Sequence, residues 1–467
     1  MFLEGEGLSG PALLWRRGVK SYGLFCGAIC RLGYVLWYQL QSVLGRILCK
    51  VFIKRRILAT VPFLSLLDDR AKPKGSRDPL GFELVWTHFG RKVVGNLTTI
   101  TSSVENFTVA LLGFYWAHQI HGDADKDSRG RLIRETFLRY EQLAAYLRYQ
   151  SGSKEIMGIT RVHKNMTAQV GSLAISLKAQ ILSNQASYGL WGLYSSALKD
   201  SGLAEGSDRK PTAEGMALAD TIARDLNANE FIPLFRGDGQ LSRDECERLA
   251  PQFWQAIRTE TVRQKLTHIL LRGRQNQNAS VQEDLFSATE TLVREGKLTG
   301  DFQQKLNEIQ RIASPELQKC LDEIQRVERV LVAANNVFYY LLRQDRQSVS
   351  SVVKAIESKG KYDYEHLPET LPQGMTRRNA LCEINDNLKA GNHWGAVKAV
   401  TKLNADVMKA RGGAPWVTYD GDILNVKVKS ETAVLRSREA LLDDWDYDYF
   451  LGSYFRIAKA NLEERNG

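Results

Sequence analysis

Apolar residues recur at helical spacing along most of the chain. Between residues 85 and 121 they return every three or four positions, as at Val93 and Leu97. This heptad-like seam predicts one long helix that ends at Gly122. A second helix is predicted over residues 130–151. Because a short turn joins the two, we expect an antiparallel helical hairpin.

Helical patterns dominate again from residue 228 to residue 411. Ser-x-x-Glu motifs at 242–245 and 280–283 are capping boxes, which predict helices that begin near residues 243 and 281. A proline-containing linker is predicted over residues 359–375. Helices are expected to resume at 376–411.

The pattern changes in the carboxyl-terminal tail. Residues 416–429 place an Asp-Gly turn between two β-rich runs, which predicts a hairpin. A last helix is predicted over residues 437–463. Its acidic first half and basic second half suit the helix dipole.

Short runs punctuated by glycine occupy residues 170–226. The stretch SGLAEGSDRKPTAEGMALAD, with the motif Thr-x-x-Gly-x-x-Leu-Ala from Thr212, resembles the end of a winged-helix domain. The resemblance implies a recognition helix at 187–199 and a wing tip at Arg209 and Lys210. It also implies a weak DNA contact through Lys199, Arg209 and Lys210. The implied recognition helix carries one cation and no Arg, Asn or Gln, so it is poorly equipped to read base edges.

Together these patterns predict a mainly α protein, in which a multi-helix body carries a winged-helix-like insert and a carboxyl-terminal β-hairpin plus helix. Five segments are expected: a basic apolar amino-terminal segment (1–62), a helical hairpin (63–165), the winged-helix-like segment (166–230), a helical domain (231–412) and the hairpin plus helix (413–467).

Positive charge is concentrated at the amino terminus. Residues 1–62 hold nine Lys or Arg against two Glu, a surplus of seven out of the chain's net ten. The body is thus close to neutral, which argues against a broad nucleic-acid surface. Residues 12–57 alternate apolar and basic side chains, as a membrane-surface helix does. An equally good interpretation is a start site placed too far upstream, with the natural start at Val61.

Metal-ligand residue types cluster most densely where the first long helix is predicted to end: His118, His121, Asp123 and Asp125. The acidic run mimics the first half of a calcium loop, but Ser128 stands where the loop needs glycine. We therefore expect no specific metal and no cofactor, with these four residues as the weak candidates.

Catalytic motifs give little support for an enzyme. The sequence has no Gly-x-Ser-x-Gly motif of hydrolases, no Gly-x-x-x-x-Gly-Lys-Ser/Thr phosphate loop and no Gly-x-Gly-x-x-Gly run that follows a predicted strand. The predicted hairpin carries Asp420, Asp422, Lys427 and Lys429, which approximate a metal-dependent nuclease. Asn425 stands where this chemistry needs its second acid, before Lys427.

Aromatic residues crowd the predicted last helix: Trp445, Tyr447, Tyr449, Phe450, Tyr454 and Phe455. Spread over about 200° of a helix or more, they cannot all face one core. They predict a protein-contact surface, since aromatics are enriched in interface cores. The alternative is burial on two sides, between the hairpin and the helical body.

These observations favour a non-enzymatic assembly or adaptor protein, cytoplasmic, with protein partners and a weak DNA contact. Motif-poor helical chains with an embedded winged helix resemble accessory subunits of bacterial multi-protein systems, including phage defence. One alternative is a metal-dependent nuclease or hydrolase. Another is a membrane-surface protein anchored by residues 12–57. A small-molecule ligand is not expected.

Overall fold

Helices make up most of the computed structural model, which describes residues 72–168, 171–273, 279–359 and 366–462. As predicted, the protein is mainly helical, with a small carboxyl-terminal β-hairpin followed by a helix. The predicted membrane-surface segment and the alternative start at Val61 lie outside the described residues. In the described part, every helix is too short or too polar to cross a bilayer.

The first predicted helix is two helices, so the expectation of one helix over 85–121 is wrong. Helix α1 spans Glu83–Val93 and helix α2 spans Val104–His121. Between them, Arg91 Nη1 donates to the carbonyl of Leu97 at 2.6 Å, and the buried Asn96 amide donates to the carbonyl of Leu270 at 2.9 Å. The local bond from Arg91 and the tertiary bond from Asn96 stabilise a loop that apolar periodicity alone does not reveal.

The second predicted helix is present as α3, Lys126–Gln150, and packs antiparallel to α2. At one end of the pair, Arg148 donates to Asn106 Oδ1 at 2.7 Å. At the other end, His121 Nε2 and Thr136 Oγ1 are 2.8 Å apart. The expected antiparallel pairing is therefore present, but its first member is α2 alone rather than one helix over residues 85–121.

The winged-helix-like region does not contain the expected recognition helix. Residues 187–199 are divided among three short helices, and Gly189 between the first two has an extended backbone. The strand that precedes them pairs with a strand outside the predicted segment. The elements of this region are α4 (Ile159–Thr167), β1 (Ser172–Ile175), α5 (Gln185–Tyr188), α6 (Leu190–Leu193), α7 (Ser195–Asp200), β2 (Ala204–Glu205), β3 (Lys210–Pro211) and α8 (Ala213–Arg224).

The helical stretch that follows contains the predicted capping box at Ser242, with both of its hydrogen bonds formed. Ser280, by contrast, lies inside a helix rather than at its cap. The elements here are α9 (Ala228–Phe231), α10 (Pro233–Arg236), β4 (Gly239–Ser242), α11 (Arg243–Ile257), α12 (Glu260–Arg272), α13 (Ala279–Arg294), α14 (Phe302–Ile312), α15 (Pro315–Leu341), α16 (Val349–Lys359), α17 (Arg378–Lys389) and α18 (His393–Ala410).

The tail contains the predicted hairpin, as strands β5 (Val417–Asp420) and β6 (Ile423–Val426). Gly421 has a φ of +57° in the turn, which the missing Cβ permits. The single last helix predicted over 437–463 is wrong, because two helices, α19 (Arg438–Asp443) and α20 (Leu451–Leu462), flank an irregular segment. Helix α15 is the longest described helix, and α1, α13, α14, α17, α18 and α19 all contact it.

Candidate interaction site

The six tail aromatics divide into a buried group and a partly exposed group. Tyr449, Phe450, Tyr454 and Phe455 are buried in the core. Trp445 and Tyr447 are only partly buried. The predicted contact surface is therefore corrected to these two rings, because the other four face the helical body.

A buried carboxylate anchors the segment that carries these rings. Glu328 on α15 is 2% exposed and accepts the backbone amides of Asp446 at 2.5 Å and Tyr447 at 3.1 Å. It also accepts the hydroxyl of Tyr449 at 2.8 Å. Burial raises the pKa of Glu328 to about 8 and outweighs these donors, which lower it.

The backbone of this segment is strained. Tyr449 and Phe450 have φ values of +50° and +66°, in the left-handed region that non-glycine residues avoid. Such a conformation costs roughly 1–2 kcal/mol per residue. The hydrogen bonds to Glu328 offset this cost, and the segment is therefore held in one position against α15.

Side-chain hydrogen bonds fix the partly exposed rings as well. The indole nitrogen of Trp445 donates to Gln303 Oε1 at 2.6 Å. Asn335 on α15 donates to the Tyr447 hydroxyl oxygen at 3.2 Å. Both polar tips are thus occupied.

These two rings line a cleft of about 410 Å³ together with Trp86, Thr99, Phe302, Asp446 and Asp448. Trp86 stacks on Tyr447 with ring centroids 5.8 Å apart. Trp445 meets Phe302 edge to face at 4.9 Å. We call this site the aromatic cleft. Sequence reasoning missed Trp86, Phe302 and the anchor Glu328, which lie far away along the chain.

The two acids of the aromatic cleft differ in their bonding partners. Asp446 forms an ion pair with Arg436 at 2.7 Å. Asp448 accepts the amide of Phe450 at 3.1 Å, and burial raises its pKa. Nearby Arg456 lowers that pKa, yet it donates to Ser102 Oγ at 3.5 Å rather than pairing with Asp448.

The predicted DNA-contact residues lie around the short β2–β3 hairpin. The guanidinium of Arg209 lies 4.2 Å from the centre of the Trp191 ring, and its Nε donates to Ser195 Oγ at 3.0 Å. Lys210 is exposed, and Lys199 is partly buried at the end of α7. Arg209 therefore fixes the hairpin to the helices beneath it.

The two predicted histidine ligands bond to different elements. His118 Nε2 donates to the carbonyl of Asp208 at 3.0 Å, whereas His121 contacts α3 through Thr136. Asp125 instead caps α3, where it accepts the amide of Asp127, and Asp123 is exposed. Within the described ranges, no group of three or more His, Cys, Asp or Glu is placed to hold a metal ion.

Two adjoining grooves flank helix α8, which sequence reasoning also missed. One has a volume of about 550 Å³ and includes His118 and Lys210 in its lining. The other, between α8 and α12, has a volume of about 690 Å³ and includes Lys265 and His268. Asp220 borders both grooves.

The predicted nuclease residues link the hairpin to its neighbours. Asp422 Oδ1 accepts the amide and the hydroxyl of Ser350 at 3.1 and 3.0 Å. Lys429 pairs with Asp345 at 2.6 Å. Asp422 therefore stabilises the start of α16.

Comparison with known proteins gives no assignment. No protein-family model, no curated protein and no solved structure matches this chain.

Proposed function

We propose that this protein is a non-enzymatic assembly or adaptor protein of a bacterial multi-protein system, of the phage-defence kind. In this proposal a protein partner binds at the aromatic cleft. The supporting observation is that Trp445 and Tyr447 remain partly exposed although the four aromatics after them are buried. Tryptophan and tyrosine are the residue types that most often dominate binding energy at interfaces.

Rigidity of the aromatic cleft favours binding. The amides of Asp446 and Tyr447 are bonded to Glu328, and the Trp445 indole is bonded to Gln303. Ordering a flexible side chain on binding costs about 0.5–1.5 kcal/mol. Rings that are already ordered avoid much of this cost.

Replacing Trp445 by alanine tests the proposal. The Trp445→Ala variant keeps the backbone bonds to Glu328, so we expect it to fold and to lose its partner. The measurement is quantitative mass spectrometry of proteins that co-purify with the tagged chain from its own cells. We expect at least about a tenfold loss of the partner, as for an interface hot spot.

Tyr188→Ala is the matched control, because Tyr188 is a 60% exposed aromatic on α5 and is not one of the residues that line the cleft. This variant should retain the partner. Retention of the partner by Trp445→Ala, with an unchanged thermal midpoint, would contradict the proposal. The alternatives of a metal-dependent nuclease or hydrolase and of a membrane-surface protein stay predictions.

A further inference from the structure

We infer that the aromatic cleft binds a guanidinium cation, namely the side chain of an arginine on the partner protein. This inference rests on the proposed function, because it names the chemistry of the group that the partner inserts. Three features carry it: the ring faces, the charge of Asp448 and the size of the cleft.

Aromatic rings attract guanidinium groups through the negative charge of their faces. The polar tips of Trp445 and Tyr447 are bonded to Gln303 and Asn335, so a ligand meets their ring surfaces. The same cluster of rings already holds one such cation. Arg91 lies 3.9 Å from the centre of the Phe450 ring, which in turn packs against Trp86 at 5.1 Å.

Charge selects a cation over a neutral group. Asp448 is partly buried, and among the described residues its carboxylate has a backbone amide as partner but no ion pair. Partial desolvation of an unpaired charge is unfavourable, and an incoming cation relieves it. Asp446 does not attract the incoming cation in this way, since Arg436 already neutralises it.

The size of the cleft suits a side chain. Its volume of about 410 Å³ lies at the small end of the range for ligand pockets, roughly 300–1,000 Å³. Arginine is planar and stacks on aromatic rings while it bonds to a carboxylate, which a lysine ammonium does less well. An arginine can therefore use the rings and Asp448 at once.

A pair of probes of nearly equal shape tests the inference on the full chain. N-acetyl-arginine methylamide carries the guanidinium, and N-acetyl-citrulline methylamide replaces it with a neutral urea. Titrations followed by saturation-transfer NMR should show at least about tenfold tighter binding of the arginine probe. Equal affinities for the two probes would overturn the inference without the use of any variant.

Two isosteric substitutions test whether Asp448 supplies the charge that attracts the arginine probe. Asp448→Asn should abolish the preference for arginine over citrulline. Asp443→Asn removes the same charge from an exposed acid on α19 and should leave the preference intact. If both variants lose it equally, a diffuse acidic field is responsible and the inference fails. Equal thermal midpoints establish that both variants are folded.

The two proposals fail in different ways. If the arginine probe is preferred but Trp445→Ala retains the partner, the cation site stands and the adaptor function at this cleft falls. If Trp445→Ala loses the partner but the probes bind equally, the adaptor function stands and the cation inference falls.

Discussion

Single acidic residues inside apolar helix faces hold distant segments in place. Glu328 does so for the tail. On α3, buried Glu141 accepts the amide of Leu190 at 2.6 Å and the side-chain amide of Gln185 at 2.9 Å. Burial raises the pKa of Glu141 to about 7, as it raises that of Glu328 to about 8. A charge in an apolar stripe is visible in the sequence, but its partners, more than 100 residues away for Glu328, are not.

The raised pKa of Glu328 should make the free energy of unfolding fall as the pH rises. The pKa of Glu328 moves from 4.5 in the unfolded chain to about 8 in the folded one. Between pH 4.5 and about 8 the folded state thus binds one more proton than the unfolded state. The stabilisation that this proton provides is complete below pH 4.5 and is lost as the pH rises through about 8. The Glu328→Gln variant is permanently neutral, so it should become more stable than the wild type by more than about 1 kcal/mol above pH 8.

Urea unfolding of both proteins at several pH values between 5 and 9 measures this difference. The gap between variant and wild type should widen with pH. A gap that is constant across this interval would show that Glu328 titrates normally. Glu141→Gln serves as a comparison, with its transition expected near pH 7.

At the scale of elements, the sequence predicts helices well where local signals determine them. The helix after Ser242 and the hairpin around Gly421 occur as expected, because a cap and a turn are local features. The breaks within 85–121 and 437–463 were not predictable. Tertiary hydrogen bonds from Asn96 and to Glu328 stabilise them, and periodicity carries no information on such bonds.

Close packing of α2 against α3 depends on one glycine. A Cβ at Gly113 would lie 2.5 Å from the Tyr140 ring, which is buried in the core. We expect Gly113→Ala to lower the free energy of unfolding by about 2 kcal/mol or more, as overpacked cores do. Urea unfolding measures this change.

Gly130 provides the matched control on α3. A Cβ there meets no atom within 4 Å. Because alanine is the better helix former, Gly130→Ala should raise the free energy of unfolding by about 0.5–1 kcal/mol. Destabilisation by both variants would contradict this prediction, because Gly130→Ala would then lower the free energy of unfolding although its Cβ meets open space.

At the scale of the whole molecule, the predicted DNA contact depends on which cations of the β2–β3 hairpin are available to phosphates. Arg209 is bonded to Trp191 and Ser195, whereas Lys210 is exposed. Arg209→Ala should therefore destabilise the fold by about 1 kcal/mol. Lys210→Ala should change stability by less than about 0.5 kcal/mol.

Duplex binding at several salt concentrations separates the two roles. If the hairpin contacts phosphates, Lys210→Ala must weaken binding and reduce the salt slope by about one. If Lys210→Ala leaves both unchanged, the predicted contact through Lys199, Arg209 and Lys210 is wrong. The thermal midpoint of Arg209→Ala, measured on the same samples, shows whether Arg209 stabilises the fold rather than contacting DNA.

The tail packs against helices from earlier in the chain, and this order matters during biosynthesis. The backbone oxygen of Tyr449 and the ring of Phe450 lie against Gly90 on α1, and α20 packs on α12 and α13. Translation adds about 5–20 residues per second from the amino end. Until residues beyond 450 emerge from the ribosome, the nascent chain exposes the apolar faces that α20 later covers. Chaperones should therefore bind this protein during its synthesis, and release it once α20 has docked.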